Sequence, residues 1–89
     1  MLILPQEVTH ASARSCARML VQALQSGPGA VVADAGALTR FDSSALAVLL
    51  ECRREAQVAG KTFSVRAMPT RLRSLASMYG VAELLPAAP

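Results

Sequence analysis

The chain has 89 residues, which predicts a single domain over residues 1–89 with a small core and excludes a multidomain enzyme. Hydrophobic residues make up 53%, but only two Phe and one Tyr are present, so no platform for stacking nucleic-acid bases is expected. The formal net charge is +3, with nine basic residues interspersed among six acidic ones, which argues against nucleic-acid binding.

The first half of the chain alternates strand and helix. Residues 1–4 have a strand composition that Pro5 interrupts, and residues 7–9 continue it as an edge strand or a hairpin. Residues 12–25 place apolar side chains at helical spacing, and Gly27-Pro28-Gly29 is expected to end that helix through a left-handed cap. Residues 30–35 are apolar on both faces up to Asp34, as in a central strand.

The second half repeats this alternation. A helix is predicted over residues 45–59, ending at Gly60, and a strand with one polar face over residues 62–67. A third helix begins at Pro69-Thr70, ends at Gly80, and turns Tyr79 inward. The inward side of the second helix is predicted to carry Ala45, Leu46, Leu49, Leu50, Cys52 and Ala56, with Val58 at the edge of this face. This order predicts an α/β domain with a mostly parallel sheet.

Three polar residues, Asp42, Ser43 and Ser44, precede the second helix. Asp42 or Ser43 as N-cap accepts hydrogen bonds from the first helical amides, which stabilises a helix by about 1 kcal/mol. The same position also tolerates a phosphate on a hydroxyl, because the helix dipole favours negative charge there. A structural cap and a phosphate-accepting switch are both consistent with the sequence.

Catalytic and metal-binding sites are not predicted. His10 is the only histidine and has no orienting carboxylate nearby in the sequence, so we interpret it as a surface or capping residue. Asp34 and Asp42 lie at loop edges, where acids usually act as caps and turn formers. Cys16 and Cys52 lack metal-ligand spacing, and we interpret both as buried small apolar residues in a reducing compartment. No catalytic residue, metal or cofactor is expected.

A cytoplasmic location is predicted. The longest apolar run, residues 45–50, is far shorter than the about 20 residues that a membrane span requires. The sequence does not show the positively charged segment followed by an apolar segment that is typical of a signal peptide. We therefore expect no direct membrane insertion, and any contact with the inner membrane to go through a partner.

An Asp-Ser-Ser-Ala-Leu motif at residues 42–46 follows a strand, Val31-Val32-Ala33-Asp34, and opens a helix that ends at Gly60-Lys61. This arrangement resembles the STAS family, the domain of anti-sigma-factor antagonists and of the small subunit in Mla-type phospholipid ABC transporters. The resemblance runs through nearly the whole chain. It implies a STAS fold, an α/β domain whose small mixed, mostly parallel sheet has helices packed on one side, with no catalytic activity and a function through protein binding.

The resemblance also implies a site around the motif. In kinase-regulated members the hydroxyl after the aspartate is the phosphoacceptor, which corresponds to Ser43, and in the transporter branch this position contacts the ATPase subunit. The expected partner-binding residues are Asp42, Ser43, Ser44, Ala47, Glu51, Arg71 and Arg73. Ala45 replaces the family's usual glycine, which is expected to alter the partner's closest approach, and the first strand is short.

Three functions remain open. The leading hypothesis is an accessory subunit that docks on the ATPase of an ABC transporter and tunes it, favoured by Thr9 where the sigma-regulating branch often has aspartate, and by residues 38–40 and 75–81. The second is an anti-sigma-factor antagonist whose Ser43 is phosphorylated by a serine kinase. The third, a nucleotide-binding or hydrolytic domain, requires measurable ATP or GTP affinity in the isolated chain.

Overall fold

The computed structural model describes residues 1–88. Its elements, in chain order, are β1 (Leu2–Ile3), β2 (Glu7–Val8), α1 (Ala13–Gln25), β3 (Ala30–Asp34), β4 (Arg40–Phe41), α2 (Ser44–Val58), β5 (Thr62–Arg66) and α3 (Thr70–Met78), followed by a 3-10 helix, Ala82–Leu84. The predicted helices and longer strands are all present. The short strand β4 lies in a segment for which no element was predicted.

The strands form two small parallel sheets. One has the order β1-β3-β5, and in the other β2 pairs with β4. Helices α1 and α2 provide the crossovers that the parallel pairs β1–β3 and β3–β5 require. The prediction of a central strand at β3 and of an edge strand at β1 is therefore confirmed. The hairpin alternative is wrong, because the chain passes Pro5 into the other sheet.

The core lies between the three-stranded sheet and the first two helices. Leu2, Ala33 and Val65 are neighbours in register, so they share a face of the sheet, and all three are buried. That face is covered by α1 and α2, which also pack against each other. Ile3 points to the opposite, open face and is 65% exposed. Among residues 1–88, no helix combines the length and apolar composition that crossing a bilayer requires.

The end of α1 differs from the prediction. Gly60 and Gly80 have the expected left-handed φ of +72° and +73°, but neither Gly27 nor Gly29 does. The carbonyls at and just after the end of α1 accept hydrogen bonds from the Lys61 ammonium, whose Nζ lies 2.6 Å from the oxygen of Leu24 and 2.9 Å from that of Gly27. The Gly27 amide also donates to the Leu24 carbonyl at 3.3 Å, so a distant side chain adds to the local cap.

The inward faces of α2 and α3 also need correction. Val58 is 76% exposed and Tyr79 is 59% exposed, whereas Val48, which was not assigned to the core, is buried. Because α2 contacts α1, β5 and α3, its buried arc is wider than a single helical stripe. Val58 is the last residue of α2, and Tyr79 follows the end of α3, so both lie at the margins of these contacts.

Candidate protein-docking site

Asp42 fixes the start of α2. Its Oδ1 accepts a hydrogen bond from the Ser44 amide at 2.8 Å, and its Oδ2 accepts one from the His10 amide at 3.0 Å. The carboxylate therefore ties the loop before α1 to the first turn of α2. These two amides, first that of Ser44 and then that of His10, hold the pKa of the Asp42 carboxyl below its usual range. Asp42 is consequently ionised, and both of its carboxylate oxygens already accept hydrogen bonds from the backbone.

Of the two predicted caps, Asp42 is confirmed and Ser43 is not, because the Ser43 side chain makes no capping hydrogen bond. Its backbone is already helical, with φ −62° and ψ −15°, and its side chain is exposed. The next two amides, of Ala45 and Leu46, donate to the carbonyls of Asp42 and Ser43 at 3.0 and 3.1 Å. Asp42 has taken the capping role, which leaves the Ser43 hydroxyl available to a partner or a modifying enzyme.

The alanine that replaces the family's usual glycine lies inside the core. Ala45 is fully buried, while Ala47, two residues later, is exposed. The Ala45 methyl is therefore turned away from any partner at the start of α2. This burial argues against an effect of Ala45 on the closest approach of a partner.

A shallow apolar groove of about 270 Å³ opens beside Ser43. Its lining is Ser43, Leu46, Ala47, Leu50, Tyr79 and Val81. Ser43, Ala47 and Leu50 share one side of α2, because residues four and three positions apart are neighbours on a helix. The opposite wall is formed by Tyr79 and Val81, which come directly after α3 in the chain. An exposed apolar groove next to polar side chains is typical of a surface that binds another protein.

Arg71 and Arg54, which lie on α3 and α2, have different partners. The Cζ of Arg71 lies 4.9 Å from the centroid of the Phe41 ring, two residues before Ser43. Arg54 instead pairs with Glu51 at 2.8 Å and with Glu55 at 3.0 Å. The Arg54 hydrogen bond lowers the pKa of Glu51, so Glu51 is charged but already matched by a cation on its own helix. Exposed pairs of this kind contribute little stability.

The structure brings most of the predicted site residues to one region. Ser43 and Ala47 line the groove, and Asp42 and Ser44 adjoin Ser43 in the chain. Glu51 does not join them, because it lines a separate surface pocket between α1 and α2. Arg73 does not join them, because two positions along α3 turn it to the side opposite Arg71. Its side chain is half-buried there.

The sequence interpretation missed the other groove residues. Tyr79 was predicted to turn inward and Val81 was not assigned to the site, yet both line the groove. The available signal was the position of Tyr79 at the C-terminal end of α3, directly before the left-handed Gly80. Side chains at such an end have fewer neighbours to cover them. The contact between the His10 amide and Asp42 joins residues 32 positions apart and had no local signal.

Both cysteine thiols are buried in the core. Cys16 and Cys52 are buried with free thiols, as predicted for small apolar residues of the core. Burial, with smaller contributions from Cys16 and Glu51, raises the pKa of Cys52 to about 12, which keeps its thiol protonated and unreactive. Within residues 1–88, no group of three or more His, Cys, Asp or Glu side chains is placed to hold a metal ion.

A small parallel α/β fold with a polar motif at a helix start and an exposed apolar groove defines a protein-interaction domain. Residues 1–86 match the sequence model of the family described as "Mlab, STAS domain". The chain therefore belongs to the STAS domain family, as the resemblance implied, and its general role is to mediate protein–protein interactions. No match to a curated protein was found.

Among solved structures, the chain is similar to the anti-sigma-factor antagonist SpoIIAA in its unphosphorylated form. The TM-score is 0.74 at 17% sequence identity, and the match covers 98% of this chain and 76% of that one. Identity this low shows a shared fold only. The predicted STAS fold, an α/β domain with a small, mostly parallel sheet and helices packed on one side, is confirmed by this likeness, although the strands form two small sheets in which every pair is parallel among the described residues.

Proposed function

We propose that this protein is a non-enzymatic accessory subunit that docks on the cytoplasmic ATPase of a phospholipid-transporting ABC complex and tunes its activity. The observation that carries the proposal is the exposed apolar groove beside Ser43, at the position of the family motif. The family description, which names Mlab, supports the transporter branch. The proposed docking surface is Asp42, Ser43, Ser44, Ala47 and Arg71, extended by the groove residues Leu46, Leu50, Tyr79 and Val81. Two residues expected from the sequence are left out, because Arg73 lies on the other side of α3 and Glu51 faces α1.

The geometry suits a binding role. Protein interfaces combine an apolar centre with a polar rim, and here Ala47 and Leu50 form the centre while Ser43 supplies a neutral hydroxyl at the edge. Asp42 is held by two backbone amides, so the helix start is rigid before a partner arrives. A rigid surface loses less conformational entropy on binding than a mobile one.

A tagged full-length chain, expressed in its source cells and captured, tests this proposal. We expect mass spectrometry to identify an ABC-transporter ATPase as the main captured protein. The rate of ATP hydrolysis by that purified subunit, measured with and without this chain, then reports tuning. Recovery of a serine kinase without any ATPase contradicts the proposal.

An anti-sigma-factor antagonist is the second candidate, and the uncommitted Ser43 hydroxyl favours it. A phosphate there adds a charge of about −2 at the edge of an apolar groove, which weakens docking of an apolar partner surface. Intact mass after incubation with Mg-ATP and a candidate serine kinase tests this role, with Ser43→Ala as the control. We expect phosphate transfer to be absent from Ser43→Ala, and a wild-type chain that stays unmodified counts against this candidate.

A further inference from the structure

We propose that two copies of this chain associate through the groove between α1 and α2, with the cationic wall of each copy against the acidic wall of the other. This α1–α2 groove has a volume of about 320 Å³ and is lined by Arg14, Ala17, Arg18, Val21, Glu51 and Glu55. None of these residues lines the groove beside Ser43. Self-association therefore goes beyond the proposed docking on an ATPase and uses a different surface.

The α1 wall carries cations that have no acidic partner. Arg14, Ala17, Arg18 and Val21 recur at intervals of three and four residues, so they form one stripe along α1. Both arginines are exposed, while Ala17 and Val21 are half-buried beside them. In the part of the chain that the structure describes, neither arginine forms an ion pair. This wall therefore presents two uncompensated positive charges to solvent.

The α2 wall has an excess of negative charge. Arg54 donates to both carboxylate oxygens of Glu51, at 3.1 and 2.8 Å, and forms a second ion pair with Glu55 at 3.0 Å. One guanidinium thus serves two carboxylates, so one negative charge of this wall is not balanced on its own helix. The Glu55 side chain is still 23% exposed, so a cation from another molecule can reach it.

A two-fold axis along the groove brings unlike walls together. Helices α1 and α2 each connect parallel strands, so they run in the same direction, and Arg14 precedes Arg18 as Glu51 precedes Glu55. A two-fold rotation about an axis parallel to both helices places the α1 wall of one copy over the α2 wall of the other. Arg14 then faces Glu51 of the second copy, and Arg18 faces Glu55 of the second copy. Such a symmetric interface uses the same patch on both subunits.

A second copy fits this groove better than other occupants do. The acidic wall repels a nucleic acid or another polyanion, and about 320 Å³ is at the low end of small-molecule sites, which are roughly 300–1,000 Å³. A protein partner needs acids opposite α1 and a cation opposite α2, and a copy of this chain supplies that pattern. The short side chains of Ala17 and Val21 add apolar contact and allow close approach.

Sedimentation velocity of the full-length chain tests the association. The contact is small and largely ionic, so we expect a reversible dimer at about 100 µM chain in low salt and its dissociation in about 0.5 M NaCl, where exposed charges are screened. Arg18→Glu should remain monomeric in low salt. Arg71→Glu, the same change of charge outside the α1–α2 groove, should dimerise like wild type. A monomeric wild-type chain, an Arg18→Glu protein that dimerises normally, or loss of the dimer in both variants overturns the proposal.

Mixing two charge-reversed variants tests the pairing of the walls. Glu55→Arg alone should be monomeric, because its new cation faces Arg18 of the second copy. An equimolar mixture of Arg18→Glu and Glu55→Arg should form a heterodimer, since each contact then joins unlike charges. Circular dichroism checks folding, and Arg14→Glu with Glu51→Arg repeats the test if Glu55→Arg does not fold. A mixture of folded variants that stays monomeric contradicts the pairing, whereas docking on the ATPase, tested at the other groove, is unaffected by that result.

Discussion

The two ends of α2 differ in how they are held and in what they leave exposed. The N-terminal end depends on one carboxylate, Asp42, and leaves Ser43 and Ala47 facing solvent. The C-terminal end turns through the left-handed Gly60, after which the Lys61 ammonium reaches the last carbonyls of α1. One end therefore presents a surface and the other joins two helices. This difference implies that binding and stability can be changed separately in this domain.

Lys61→Met is expected to have the largest effect on stability. The substitution keeps an apolar side chain of similar length but removes the ammonium that donates to Leu24 at 2.6 Å and to Gly27 at 2.9 Å. Hydrogen bonds from a charged donor contribute about 1.5–3 kcal/mol, so we expect a loss of about 2 kcal/mol in the free energy of unfolding. Urea denaturation measures it, with Arg14→Met as the control. A loss no larger than that of the control would show that Lys61 does not join the helices.

Asp42→Asn is expected to have a smaller, pH-dependent effect. Because the folded-state pKa of Asp42 lies below its unfolded value of about 3.9, ionised Asp42 stabilises the fold above that pH, and this contribution disappears as pH falls through the folded pKa. The thermal midpoint of Asp42→Asn should therefore lie below that of wild type at pH 7, and the two should converge in acid. A difference that stays constant between neutral and acidic pH contradicts this role.

Ser43→Ala is expected to have the smallest effect. The Ser43 side chain caps no amide, so the free energy of unfolding should change by less than about 0.5 kcal/mol, rather than by the about 1 kcal/mol that loss of a cap costs. Urea denaturation of both proteins at pH 7 measures the difference. A loss as large as that of a cap would mean that the hydroxyl, and not Asp42 alone, holds the start of α2.

The sequence predicted features that depend on neighbouring residues. Helices α1, α2 and α3 were found from apolar spacing, and the helix ends at Gly60 and Gly80 from the position of these glycines after periodic segments. These features follow from local sterics and backbone hydrogen bonding. The polar motif at residues 42–46 was also placed correctly at a helix start.

The sequence could not predict features that distant contacts decide. Asp42 and Ser43 are both good caps in isolation, and the Asp42 carboxylate has the additional His10 amide to bind. Gly27-Pro28-Gly29 was expected to end α1 through a left-handed cap, but neither glycine is left-handed, and Lys61, which follows α2, adds its own hydrogen bonds to the carbonyls of Leu24 and Gly27. The groove likewise depends on where α3 and the residues after it lie against α2, which helical periodicity does not determine.

Docking through the groove is tested most directly by calorimetric titration of the purified ATPase subunit with Ala47→Asp. The control is Ala23→Asp, which makes the same substitution at an exposed position of α1. We predict that Ala47→Asp abolishes binding while its urea denaturation stays within about 0.5 kcal/mol of wild type, and that Ala23→Asp binds normally. Equal affinity of Ala47→Asp and Ala23→Asp for the ATPase would contradict docking at this groove.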